Sequence, residues 1–349
     1  MTDLFFVLAL ALFMALALAW GYRTLPGENW QMLAALPLQK CDNGQWKGLN
    51  LTWYGFLSAT AYTFGVGILI ILAGATGIRL SSLVVLTLLL LAVTIPASKI
   101  IARLVEKKPG TLTVGGAVFV GVVSAPWLIV LVNMTLGKAN GFSLPVPVML
   151  AAISIAYTFG EALGRLACIS FGCCYGPPLA QCSPFTQRIF AGFNLIFYGK
   201  TKKAAYADGL DEKKLLPIQM ITAVIYTISG LIGTWLFLKG AFGAAFMATL
   251  WVTQVWRVIS EFFRADFRGS MNFSMYQIMA LGAIVYSSLI LPVFSSATGM
   301  PDLNLGLGAL WDPGIILFLE LVWIAAFLHS GKSAVTDSRI LFNVVRDKI

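Results

Sequence analysis

Two arginines inside apolar segments are the residues best placed to do chemistry. Arg165 closes an apolar run and precedes a turn rich in glycine and cysteine, Gly172-Cys173-Cys174-Tyr175-Gly176. Arg257 stands near the end of a second apolar run, in Arg257-Val258-Ile259-Ser260-Glu261-Phe262-Phe263-Arg264. A guanidinium stays charged at any reachable pH, and inside a bilayer that charge is costly unless partnered. Each arginine has a carboxylate four residues away, Glu161 and Glu261, so each pair shares one helix face. Such pairs can simply offset the cost of intramembrane charge. They can also present guanidinium forks to a phosphate, their favoured bidentate partner. Two pairs in one chain point to a site for an anionic lipid headgroup.

The elements that must position these residues follow from composition. Of 349 residues, 58% are hydrophobic and 11% charged, against roughly 25% charged in a soluble domain. A membrane helix needs about 20 apolar residues. Segments of that kind run over 4–21, 51–73, 82–102, 112–135, 144–163, 217–238, 242–262, 273–293 and 313–329. The fold class is therefore an all-α polytopic membrane protein of about eight or nine transmembrane helices, with a small extramembrane head region. The first segment follows Met1-Thr2-Asp3 and has no basic flank, which reads as an anchor rather than a cleaved signal peptide. Residues 22–50 read as a polar loop. Residues 177–216 read as a head resting on the membrane, with Lys200, Lys202 and Lys203 and an amphipathic piece from Ile189 to Phe197. The chain thus divides into an N-terminal helix and loop over 1–50, a main membrane domain over 51–293 and a C-terminal helix and tail over 294–349. The net charge of +9 suits anionic lipid headgroups, and no basic, aromatic-interleaved patch for nucleic acid stands out.

Other features are weaker alone. Trp53-Tyr54-Gly55 reads as an aromatic anchor at the interface. The stretch from Lys107 to Gly116 ends in Gly115-Gly116, which permits close helix packing or close approach of a ligand to the backbone. The single histidine, His329, excludes a multi-histidine metal centre. The cysteines Cys41, Cys168, Cys173, Cys174 and Cys182 form no C-x-x-C pair. They read as small apolar residues near a tight turn, so no metal and no cofactor is assigned.

The order of these elements resembles that of the prolipoprotein diacylglyceryl transferase family, from about Leu51 to Leu291. The family's Trp-Tyr-Gly opening is similar to Trp53-Tyr54-Gly55, and its Gly-Arg signature is similar to Phe159 to Gly176. Its Pro-x-Gln element is similar to Pro217-Ile218-Gln219. Its Arg-x-x-x-Glu-Phe-x-Arg and Ser-Met-x-Gln elements are similar to Arg257 to Arg264 and Ser274 to Gln277. The resemblance implies transfer of the diacylglyceryl group of phosphatidylglycerol, or a similar anionic lipid, to the lipobox cysteine of a prolipoprotein in the cytoplasmic (inner) membrane. It implies that Arg165 and Arg257 hold the phosphate and stabilise leaving-group charge, and that Tyr54 and Glu261 help shape the site. It further implies that Gly115, Gly116, Gly164, Gly172, Tyr175, Gly176, Gln219 and Arg264 line the lipid site.

The sequence also departs from the family pattern. Val114-Gly115-Gly116 stands where the family has His-Gly-Gly, Cys168 where it has asparagine, and Cys173 where it has glutamate. Glu161 stands where the family has a small or apolar residue, and is the candidate replacement base. Two alternatives follow: an anionic lipid donor with a non-lipoprotein acceptor, or a lipid-binding protein without catalysis. Charge bias puts the arginine side in the cytoplasm, whereas the resemblance puts it outside and is given slightly more weight.

Overall fold

The computed structural model describes residues 2–42, 46–106, 113–265, 273–294, 299–333 and 343–344. The stretch 107–112, ahead of the paired glycines, lies outside the described residues.

The elements in chain order begin with α1 (Thr2–Thr24), β1 (Met32–Lys40), β2 (Trp46–Thr52), α2 (Trp53–Gly74), α3 (Leu80–Glu106) and α4 (Val114–Val132). Next come a short turn α5 (Lys138–Asn140), α6 (Val146–Phe171), α7 (Pro184–Phe190), β3 (Leu195–Ile196), α8 (Lys203–Asp208) and β4 (Lys214–Leu215). The chain ends with α9 (Ile218–Leu238), α10 (Phe242–Glu261), α11 (Met275–Ile290), α12 (Leu303–Ala309), α13 (Pro313–Ser330) and β5 (Asn343–Val344). Among the described residues nine helices are long and apolar enough to cross a membrane: α1, α2, α3, α4, α6, α9, α10, α11 and α13. The protein is thus an all-α, multi-pass membrane protein.

Helix α6 is the axis of the bundle. In its apolar stretch 83% of residues are buried, against 11% in α13. It packs against α2, α9 and α10. Small residues make the α2 contact close: a Cβ on Gly65 would come within 3.0 Å of the Ala156 carbonyl. Such stripes let membrane helices approach where lipid supplies no hydrophobic drive. Helices α1 and α13 instead expose Leu8, Leu12, Leu16, Leu317, Leu321 and Leu328, as chains facing lipid do.

Three expectations need correction. The fifth apolar segment does not end at residue 163, because α6 runs on to Phe171. Leu166, Ala167, Ile169 and Phe171 are all buried, so packing carries the helix past Arg165 and places the arginine inside it. Residues 22–50 are not simply a loop: β1 and β2 pair as an antiparallel hairpin with Ala35 opposite Asn50, and β5 adds at Trp46 and Lys47. The apolar run Met32 to Leu38 supplies a strand that a polarity reading passes over. Finally, Lys202 is not a surface lysine. It is fully buried, and its Nζ donates to the carbonyls of Leu25 (2.9 Å) and Ser170 (2.5 Å). The ends of α1 and α6 are therefore tied to the head through one ammonium group.

The head folds as short pieces. Strands β3 and β4 pair at Leu195 and Leu215. Tyr22 donates to the Asn194 carbonyl and stacks on Phe193. Tyr175 is buried and bonds Asp208 through its hydroxyl, while its carbonyl accepts from Ala265 N–H at 3.0 Å.

Candidate functional site

The site forms where α6, α9 and α10 meet. On α6, Tyr157, Glu161 and Arg165 follow one another at four-residue steps, and so share a face. On α9 the steps Gln219, Thr222 and Tyr226 do the same, as do Arg257, Ser260, Glu261 and Arg264 at the end of α10. These faces enclose a small polar cleft lined by Arg165, Cys174, Ile218, Gln219, Thr222, Tyr226, Arg257, Ser260, Glu261 and Arg264. The cleft has room for about one water. A phosphate group therefore requires its side chains to part.

Glu161 is the hub. It bonds Arg165 on its own helix and also takes Arg257 from α10, whose Nη2 donates to Oε1 at 2.9 Å and to Oε2 at 2.7 Å. Arg257 Nη2 also donates to the Tyr157 hydroxyl at 3.2 Å. The expected partnership of Arg257 with Glu261 is thus replaced. Arg257 reaches across the helix interface to Glu161, and Glu261 pairs with Arg264 at 3.6 Å. Among the described residues, three guanidinium groups and two carboxylates gather at this cleft.

Hydrogen bonding is incomplete in a telling way. Among the described residues Arg165 Nε, Arg257 Nε and Gln219 Oε1 are buried without a partner. Gln219 uses its Nε2 on the Cys173 carbonyl at 2.8 Å, so its amide orientation leaves the oxygen over. Buried polar groups are nearly always satisfied, and exceptions gathered at one cleft call for a ligand. Two open donors beside one open acceptor suit an oxyanion that carries a hydroxyl.

The remaining candidates fall into two groups. Gly115 belongs to the cleft: a Cβ there would lie 3.0 Å from Arg257 Nη1 and 2.8 Å from the Tyr276 ring, so glycine lets the guanidinium lie against the start of α4. Gly116, Gly164 and Gly176 serve packing, against Ile101, Ala61 and Leu216. Gly172 ends α6 in the left-handed region at φ +74°, with Lys202 folded over it. Tyr175 is a strut of the head. Tyr54 is set by the Thr52 cap of α2 and packs edge-on to Phe171. It lies within electrostatic reach of Cys168, Cys173 and Cys174.

Sequence reading missed Tyr157 and Tyr226. Tyr157 carried a legible signal, one turn before Glu161 on the same face. Tyr226 donates to the Thr253 carbonyl at 2.9 Å and walls the cleft from α9. Beyond the Trp256–Thr222 hydrogen bond of 2.9 Å lies an open apolar groove of about 300 Å³, formed by Ile225, Trp251, Val252, Val255, Trp256 and Ile259. A charged cleft thus adjoins an apolar groove on the same two helices.

A family model described as prolipoprotein diacylglyceryl transferase matches residues 45–293. No curated protein matches the chain.

Proposed function

The chain belongs to the prolipoprotein diacylglyceryl transferase family, and on that premise we propose that it moves the diacylglyceryl group of phosphatidylglycerol to a lipobox cysteine of a prolipoprotein in the cytoplasmic membrane. The observation that carries this reading is the pair of guanidinium groups with open Nε donors in one buried cleft. The adjoining groove supports a lipid donor, because acyl chains need an apolar channel beside a headgroup site.

In this reading Arg165 and Arg257 turn from Glu161 toward the phosphate. The acceptor sulfur forms a bond to the terminal glycerol carbon of the diacylglyceryl group. The bond from that carbon to the phosphate oxygen breaks, and its electron pair leaves with glycerol phosphate. Positive groups fixed where this charge develops stabilise the transition state most in a site closed to water. Gln219 Oε1 accepts from a hydroxyl of the headgroup glycerol. Glu161 is a positioning residue: both its oxygens are engaged by guanidinium N–H groups, so neither faces an incoming thiol. The exposed Phe185 and Ile189 of helix α7 support a head resting on the bilayer.

The test is direct. Purified protein is incubated with phosphatidylglycerol labelled in its diacylglyceryl part and with a lipobox peptide, and products are identified by mass. A thioether-linked peptide with released glycerol phosphate is the expected outcome. Label on another acceptor would replace the prolipoprotein, and bound lipid without any product would reduce the protein to a lipid-binding one.

A further inference from the structure

Transfer to sulfur needs a thiolate, and a free thiol has a pKa of about 8.5. The cleft keeps Glu161 between two arginines and pairs Glu261 with Arg264. The end of α6 offers another solution. The helix stops at Gly172, where Gly172 N–H and Cys173 N–H both return to the Cys168 carbonyl at 2.9 and 3.0 Å. This reversal, followed by Cys174 at φ +62°, folds the last two cysteines back over the first. The three Sγ atoms of Cys168, Cys173 and Cys174 all lie within 4.8 Å of one another, and those of Cys173 and Cys174 are 3.7 Å apart. Two thiolates on a tetrahedral zinc, each with a bond of about 2.3 Å, have their sulfurs about 3.8 Å apart.

We propose that Cys168, Cys173 and Cys174 hold one zinc ion whose fourth position takes the acceptor thiol as its thiolate. Three protein ligands and one open position are the arrangement of a catalytic zinc, whereas a structural zinc is closed by four. The place is right for it. Cys174 lines the same cleft as Arg165 and Arg257. All three cysteines are partly exposed, so the ion has a way in. This departs from the reading of the cysteines as apolar filler. The C-x4-C-C spacing lacks a zinc pattern along the helix and acquires one only through the chain reversal.

The chemistry balances without a further reactant. Zinc replaces the protons of the three cysteines. The acceptor thiol gives its proton to water as it coordinates, since a metal-bound thiol is deprotonated. Its sulfur then bonds the glycerol carbon, the carbon–oxygen bond breaks, and the electron pair goes to the departing phosphate. The product thioether is neutral and a poorer ligand, so it leaves the metal.

This inference rests on the transfer reading, and the experiment separates the two. Protein purified under reducing conditions with zinc chloride is assayed for bound metal by mass spectrometry. We expect one zinc per chain, lost in Cys168→Ser/Cys173→Ser and kept in Cys41→Ser/Cys182→Ser. Cobalt(II) exchanged into the wild type should show thiolate charge-transfer bands. These should shift on adding a lipobox peptide and stay unchanged with its Cys→Ser form, whether or not transfer occurs. Wild-type protein that holds no stoichiometric zinc, or cobalt bands indifferent to the peptide thiol, overturns the site. Transfer that persists undiminished in chelator-stripped protein overturns its role while leaving the transferase reading intact. Spectral binding of the thiol without transfer does the reverse.

Discussion

Two buried cationic sites sit a short distance apart in chain order, and they are solved differently. Arg165 and Arg257 share a carboxylate, Glu161, and among the described residues each keeps an Nε donor without a partner. Among the described residues Lys202 has no carboxylate in contact. Its ammonium donates to two main-chain carbonyls, and the charge of Glu28 acts on it. The first arrangement holds charge while leaving donors open, which is what a binding site needs. The second uses its bonding capacity on the ends of α1 and α6, which is what a brace needs. Burial of a cation is therefore a poor guide to function by itself. What separates the two, among the described residues, is whether a buried nitrogen is left with no partner at all.

The largest effect in this comparison belongs to Glu161→Gln. Removing one member of a buried ionic cluster leaves uncompensated charge and costs about 3–5 kcal/mol. We expect a large drop in thermal stability together with loss of lipid transfer, measured on detergent-solubilised protein. A well-folded Gln variant with normal lipid binding and turnover lowered only in the chemical step would instead make Glu161 the base. Arg257→Lys comes next. It keeps the charge but loses the planar fork, and transfer should fall roughly 100-fold or more with the fold retained. Transfer at the wild-type rate would remove Arg257 from the phosphate site. Tyr157→Phe is milder, because it deletes one hydrogen bond to Arg257 worth about 1–2 kcal/mol. Transfer should drop about tenfold with the zinc stoichiometry unchanged.

The fold was legible because its signal is local. Nine apolar runs stand out in the chain, and among the described residues nine helices follow them, within a few residues except at the end of α6, which runs on to Phe171. The pairing of Arg165 with Glu161 was legible for the same reason, as neighbours on one helix face. The partner of Arg257 was not. A spacing of four residues pointed to Glu261, but a long side chain at a helix interface is free to choose across it, and only the packing of α10 on α6 decides. The thiol cluster escaped because its residues straddle a helix end, where spacing along the chain stops reporting distance. Lys202 escaped because a lysine between Lys200 and Lys203 looks solvated, and its burial is imposed by the ends of two distant helices.

That last residue gives the smallest and most specific effect. Burial pushes the Lys202 ammonium down from its usual 10.5 to about 7, and Glu28 partly offsets the shift. Between about pH 7 and pH 10.5 the unfolded chain therefore holds a proton that the folded protein has shed. Stability rises with pH wherever the unfolded state binds more protons, so the contribution of Lys202 improves across this window. Below pH 7 both states are protonated and the penalty is present in full. Lys202→Met removes the titrating group and keeps most of the buried stem, at the cost of leaving the Leu25 and Ser170 carbonyls without their donor. Its melting temperature should start lower, yet it should rise less than that of the wild type between pH 7 and pH 9. Parallel profiles for the two proteins would mean that the brace keeps its proton throughout. The contrast with the arginine site would then be one of hydrogen bonding alone.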